Sequence, residues 1–494
     1  MRRRLCALLS AGLILFFSVL FNCAKTPNTP GSGSSDFNSG GSAGNNGTAS
    51  NPSGISPLPT AQQDSQAAVS TQSGNQSLET ALYTAASAQS VNVSTAEANY
   101  KAAIALNPNN TSAQFGAAVT ELLSVNQNQV LQSVIDSFTI APTTSLMKSR
   151  LLPLGISGKS FAKPGAILTE IASAPQATFP KISTVQETVK DTLLPEIVYA
   201  LDRLSIIEND PTFAFKITPK MQGVAVGDTF ILDNGEVYII DAGLRVVRGI
   251  LLTLISYNVD IDDNGSYQWI TSGDSELIAD NVLRLYQSSQ FMALNSWGVA
   301  SMQAAILNMR ECIGKLQSAV NFIQNETGNQ VNHIIQVSSL DSANSELQSS
   351  NGTITSISSL LDTATAFLSG PYTISNSGGS LTINVSAVFD NPIQDLKTKL
   401  PYIKWRDSSD WDRGDTFQPF DFVNATGAVV PDSAIEFPDY TFGGLFPDMT
   451  TRQDWVTLLN DNNQSPVTPT GSVAKSLTPS YLGYLRFPFA ISLH

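Results

Sequence analysis

The sequence predicts a mainly α-helical protein with a minor β component of hairpins and a loop-rich C-terminal part. Three patterns carry that expectation. Apolar residues recur every three or four positions over long stretches, as at Val185, Val189, Leu193, Ile197, Leu201 and Leu204, which is the stripe a helix turns toward a core. Small residues and aromatics occupy helical spacings between residues 94 and 120. Alternation of the strand type is confined to short runs beside Gly-containing turns, near residues 230–240 and 372–385.

The chain opens with Arg2-Arg3-Arg4 and an uncharged apolar run, Leu5 to Phe21, that closes on Cys23. A basic start followed by such a run reads as a secretory signal, although it is also long enough for a membrane span. The cysteine at its end decides between them. Leu20-Phe21-Asn22-Cys23 resembles a bacterial lipoprotein signal, with Leu20 three before the cysteine as in that family, while Phe21 and Asn22 stand where the family has small residues. The resemblance implies cleavage of residues 1–22, a lipid on Cys23, and a place in the bacterial cell envelope, at the outer membrane and facing periplasm or surface. Of the other two cysteines, Cys6 would leave with the leader. Cys312 then has no partner within the chain and sits among Ile306, Met309, Ile313 and Leu316 at helical spacings, as a buried inert thiol.

Composition narrows the function classes. The 27 basic residues less the three leader arginines leave 24 against 41 acidic ones, a net −17. Nucleic acid and anionic lipid are disfavoured as partners of the body, because both need basic patches. The only histidines are His333 and His494, which nearly excludes histidine-based metal sites and His-dependent triads. Residues 24–78 hold three charges, Lys25, Asp36 and Asp64, amid Gly, Ser, Asn, Gln, Thr, Ala and Pro. Together with Cys23 this makes residues 23–78 a lipid anchor and disordered tether, with too little apolar surface to offset chain entropy. A Gly/Ser-type coil of that length reaches ~40 Å.

Residues 79–139 follow as a helical segment. Ala96, Tyr100, Ala103 and Pro108 precede Asn109-Asn110 and a second helix with Phe115, Gly116 and Ala118. Small residues let helices approach, the aromatic fills the groove, and Pro108 ends the first helix; Ser94 or Thr95 caps its start, with Glu97 in the first turn. The pattern resembles a tetratricopeptide repeat, covering the second helix of one unit and the first of the next. Leu82, Tyr83 and Ala86 fall in the preceding helix, without that family's usual Trp, Leu-Gly and Tyr columns. The resemblance implies a concave peptide-binding face to which Tyr100, Asn107, Asn109, Asn110, Gln114 and Glu121 would contribute. An ordinary helical hairpin remains the alternative, since a free-standing solenoid needs about three repeats.

Residues 140–370 are expected to form the mainly helical core. Gly155 to Ser160 imitates a phosphate-binding loop, but Pro153 stands where the first glycine is required, and no strand precedes it. The Val185–Leu204 stripe is a long helix, kinked at Pro195. Phe230 to Ile240 reads as a hairpin turning at Asn234-Gly235, with a helix from Val237 onward as the competing reading. Residues 241–259 are the most hydrophobic mature segment, interrupted by Arg245 and Arg248, and read as the centre of a buried helical core. Next, Asp260, Asp262, Asn264, Gly265 and Ser266 match the start of a calcium loop, whose twelfth position holds Thr271 instead of a bidentate Glu; a solvated acidic turn is the alternative. Residues 281–325 suggest one long helix, or two with a break near Gly298, and 340–367 a more polar helix ending at Gly370-Pro371.

Residues 371–494 combine a hairpin, Tyr372 to Val385, with an aromatic and Asp-rich region packed on the core. Tyr402, Trp405, Trp411, Phe417, Phe420 and Phe422 interleave with Asp407, Asp410, Asp412, Asp415 and Asp421. Such sets bind sugars or calcium, or pin loops to a core. Phe437-Pro438-Asp439 recurs as Phe446-Pro447-Asp448, each Phe anchoring a turn, and Thr451 with Asp454 caps a short helix. No catalytic constellation emerges. The expectation is a lipid-anchored, non-enzymatic binding or scaffold protein for a peptide, protein or polysaccharide, without a cofactor unless calcium. The alternatives are a carbohydrate-active hydrolase using carboxylates of the 407–421 region and a substrate-capturing lipoprotein of an uptake system.

Overall fold

The computed structural model describes residues 60–85, 91–125, 182–260, 288–326, 332–350, 356–376, 379–399, 402–403, 435–436, 438–451 and 454. Of these, 65% are helical and 7% strand, so the chain is mainly α with a minor β component.

The first helix, α1 (Ala61–Thr84), lies in the segment composition assigns to a tether. Thr60 and Gln63 form a capping box at its start, and Ala67, Thr71, Gly74 and Leu78 are buried at intervals of four, three and four. This stripe is narrow and, Leu78 apart, made of small residues, so it yields little hydrophobic signal. It succeeds because it meets α2 (Ser94–Leu106) closely. Thr71, Ser73, Thr80 and Thr84 return their hydroxyls to carbonyls one turn back, which satisfies them without leaving the helix. The tether expectation is therefore corrected for residues 61–78; residues 23–59 lie outside the described residues.

Tyr100 knits the next layer together. Its ring is fully buried and its hydroxyl donates to Asn75 Oδ1 at 2.8 Å. A Cβ added at Gly74 would stand 2.7 Å from the ring, and one at Gly116 would overlap it outright. Glycine on α1 and on α3 (Thr111–Val125) thus lets one aromatic of α2 fill the space between both neighbours. The start of α2 differs from expectation in detail. Val93 is the capping position and offers no side-chain bond, while Asn92 Oδ1 accepts from the backbone and hydroxyl of Ser94. Phe115 of α3 then packs on Phe213 and Phe215, with ring centroids at 5.6 and 4.7 Å.

A short α4 (Ile182–Thr188) runs through a π-turn, Val189–Leu193, into α5 (Leu194–Ile207). Pro195, which has no N–H to give, follows directly on the π-turn, where the i→i−4 ladder is already interrupted. The π-turn just before Pro195 is the irregularity the structure shows in this helix. Strand β1 (Phe215–Ile217) pairs antiparallel with β2 (Phe230–Leu232), Phe215 opposite Leu232 and Ile217 opposite Phe230. The hairpin expected to turn at Asn234-Gly235 is not formed. Asp233 and Glu236 make a capping box there, and Asn234 and Gly235 open α6 (Asn234–Leu254). A cap that satisfies orphan N–H groups outcompetes the tight turn. Gly235 serves packing instead, since a Cβ there would meet Ile323 at 2.8 Å.

Helices α6 and α7 (Gly298–Asn325) form the most extensive helix pair. The helix expected upstream of Gly298 is not formed over residues 288–297, where Leu294 and Ala293 make bridges to Tyr257 and Asp395 instead, and residues 281–287 lie outside the described residues; helix begins at Gly298. Buried Ile306, Cys312, Ile313, Leu316, Val320 and Ile323 line its core stripe, together with Leu360, Leu361, Ala364 and Leu368 of α9. The single polar helix expected over 340–367 is two, α8 (Val337–Ser350) and α9 (Ile357–Ser369), the second capped by Ser356. Strands β3 (Tyr372–Asn376) and β4 (Gly379–Ile383) form the expected hairpin, with Tyr372 opposite Ile383 and Asn376 opposite Gly379. It packs with Phe291, Met292, Phe442, Phe446 and Met449 into a third core. A short α10 (Val385–Asp390) and a final pair, β5 (Tyr402–Ile403) with β6 (Ile435–Glu436), complete the described elements. Phe446 anchors its turn as expected, and Asp448 accepts from Thr382 N at 2.9 Å. Thr451 and Asp454 exchange capping bonds. Among the described residues no helix is long and apolar enough to cross a membrane.

Candidate functional site

The residues singled out on α2 and α3 are engaged inside the fold. Tyr100 is the buried wedge between α1 and α3. Gln114 is 2% exposed, donates to Pro108 O and accepts from Arg203 Nη1 at 3.0 Å. Glu121, 4% exposed, receives Arg203 of α5 through Nε at 2.9 Å and Nη2 at 2.8 Å. That two-point bond joins α3 to α5 and holds the guanidinium well charged, its hydrogen bonds to Glu121 outweighing burial. Asn110 caps α3 through Ala113 N and donates to Thr71 on α1. Asn107 reaches Asp64, and Asn109 alone of the six is exposed. These polar groups fasten the helices to one another.

Of the four candidate calcium ligands, Asp260 accepts from Ser183 N at 2.9 Å and so tethers α4 to the end of α6. Asp262, Asn264 and Ser266 lie outside the described residues, as do Cys23 and the aspartates from Asp407 to Asp421. Cys312 is 1% exposed, and burial pushes its thiol up to about 12.

A buried ionic cluster links α5, α6 and α7. Asp241 is completely buried and pairs with Arg245, which also reaches Glu311. Lys315 of α7 bonds Glu208, lies 3.8 Å from Asp241, and stands over the Tyr238 ring. Arg248 lies near Asn308 at 3.4 Å, and burial pulls its guanidinium down. The two arginines that interrupt the hydrophobic segment are thus spent mainly within helix packing.

A second cluster has a different character. It forms where α6 begins, α7 ends and residues 332–336 lead into α8. Ile231 N donates to Asn332 O at 3.0 Å, laying that segment parallel to β2. Glu236, 1% exposed, accepts from Asp233 N at 3.0 Å and from Ile335 N at 2.9 Å, locking the segment to the helix start. Burial pushes the Glu236 carboxyl up to about 8, with the Asp233 charge adding, against the pull of those two N–H donors. Asp233 Oδ1 is spent on Gly235 N at 2.7 Å. Asp233 Oδ2 lies 2.9 Å from His333 Nδ1, and Glu326 Oε1 of the α7 cap lies 3.2 Å from the same nitrogen. The three ligand atoms all fall within 4.8 Å of one another. His333 Nδ1 is buried and, among the described residues, has no hydrogen bond in acceptable geometry. One nitrogen and two carboxylate oxygens converging in this way could hold a divalent cation.

Sequence reasoning set histidine sites nearly aside because the count is two. The cluster uses the single interior histidine with two acids, 233 and 326, separated by 93 positions. Only Asp233 carries a local signal, the Asp-x-x-Glu capping box over residues 233–236.

No family model matches the chain, and no curated protein and no solved structure matches it.

Proposed function

We infer that the chain is a lipid-anchored envelope protein that works by binding a peptide or protein partner, held through Cys23 and the low-complexity segment after it. The observation that carries this reading is serial packing. Helix α1 packs on α2, α2 on α3, α3 on α5, α5 on α6 and α6 on α7. Arrays built on nearest neighbours present extended surfaces, and this is how helical-repeat proteins receive extended ligands. The tetratricopeptide-like residues support the same reading through their role in spacing the helices. Helix α5 leaves Tyr199 and Ile206 exposed at 55% and 36%, on one stripe with Asp202 between them.

Affinity capture from detergent-solubilised envelopes, with the full chain as bait, tests this reading. Tyr199→Ser with Ile206→Ser should reduce recovery of the captured partner without altering the circular dichroism of the bait. Unchanged recovery removes this stripe as the contact. Mass spectrometry of the mature protein should find Cys23 acylated, and a free thiol there would remove the anchor.

A further inference from the structure

We propose that Asp233, Glu326 and His333 form a binding site for one divalent transition-metal ion of the zinc class, which staples the start of α6 to the end of α7. Three independent features support the site. The donor set is one imidazole nitrogen and two carboxylate oxygens, borderline in softness, which suits zinc and its neighbours better than calcium. The spacing fits: ligands each ~2.0–2.1 Å from a metal stand ~2.9–3.4 Å from one another, and Nδ1 lies 2.9 and 3.2 Å from its two oxygens. Finally, Nδ1 is sealed from solvent and bonds neither oxygen, despite that proximity. A buried polar atom in that condition is costly unless something else occupies its lone pair.

The surroundings are built to hold these groups. Asp233 is fixed as the helix cap, with Oδ1 on Gly235 N. Glu326 is the C-cap residue of α7, its backbone N–H bonded to Ile323 O at 3.4 Å. His333 is placed by the bridge to Ile231. The side chains of the three are only 11%, 16% and 12% exposed. An ion here would join Asp233 to Glu326 and His333, which lie 93 and 100 positions further along the chain, so binding would couple to folding of this end of the molecule.

The test uses the purified full chain, stripped with chelator, and zinc or cobalt(II) ions as probes. Calorimetry should give one site per chain, and cobalt(II) should develop a visible absorption band. Zinc should raise the thermal midpoint. Asp233→Asn keeps a good helix cap while removing an anionic ligand, so it should stay folded and bind at least about tenfold more weakly. His333→Gln and Glu326→Gln should do the same and lose the cobalt band. His494 remains in every variant and so controls for adventitious histidine binding. The proposal is overturned if the parent chain takes up no stoichiometric ion, or if the three variants bind as tightly as the parent. It is equally overturned if calcium gives the same shift and that shift survives His333→Gln.

Discussion

Replacing Gly116 by alanine is the sharpest probe of how the N-terminal helices are held. On an exposed helix the change would stabilise by up to ~1 kcal/mol, because alanine has the better helix propensity. Here the new methyl enters the Tyr100 ring. The ring cannot swing aside easily: Gly74 of α1 already lies so close that a Cβ there would stand 2.7 Å from the ring, and the hydroxyl is held by Asn75 at 2.8 Å. Over-packing of this kind costs ~1–3 kcal/mol, and either α3 must move from α2 or Tyr100 must leave its rotamer. The outright overlap with the Tyr100 ring puts the cost in the upper part of that range, ~2–3 kcal/mol, and less ~1 kcal/mol of propensity the expected net loss is ~1–2 kcal/mol. In a body of this size that lowers the thermal midpoint by roughly 2–4 °C per kcal/mol. Urea unfolding followed by circular dichroism measures it, since a shifted midpoint at constant slope reports stability alone. Shortening the wedge in the same background, Gly116→Ala with Tyr100→Leu, should recover part of the loss as a coupling of ~0.5–3 kcal/mol. A Gly116→Ala protein as stable as the parent, or strict additivity in the double variant, would refute the wedge.

Two further outcomes follow from the buried charges. Asp241→Ala should destabilise by ~1–3 kcal/mol, because Arg245 loses its buried charged hydrogen bond while keeping Glu311, and Lys315 keeps Glu208; a loss below ~0.5 kcal/mol in urea unfolding would show that solvent reaches the cluster. Asp439 should contribute to stability only above the acid range. Burial pushes its carboxyl up, but donors from Thr441, Lys399 and Gly443 outweigh burial and hold it below the ordinary carboxylate value. That contribution is present above about pH 4 and is lost as pH falls through the folded value. Asp439→Asn should therefore show a flatter acid unfolding profile below that point, and parallel profiles would contradict the assignment.

Helix content was legible in the sequence wherever the apolar stripe was wide. The 185–204 stripe, the 298–325 helix and the 372–383 hairpin all have large side chains at the right period, and period alone selects the element. Helix α1 was hidden because its stripe, Leu78 apart, is alanine, threonine and glycine, and its worth depends on how closely α2 comes. The Asn234-Gly235 pair misled for a related reason. It satisfies a tight turn and a helix start equally well, and the choice fell to Glu236, whose carboxylate also reaches Ile335 from a distant part of the chain.

The sequence alone determined that the chain is mainly helical with a minor β component, that its wide-striped stretches form helices, and that Cys312 is a core thiol. These are properties of period and composition, which a linear chain carries locally. Only the tertiary structure decided that Tyr100, Gln114 and Glu121 face inward, and that Asp233, Glu326 and His333 meet. Both depend on which helices approach and how closely, and that distance is set by packing between residues far apart in the chain.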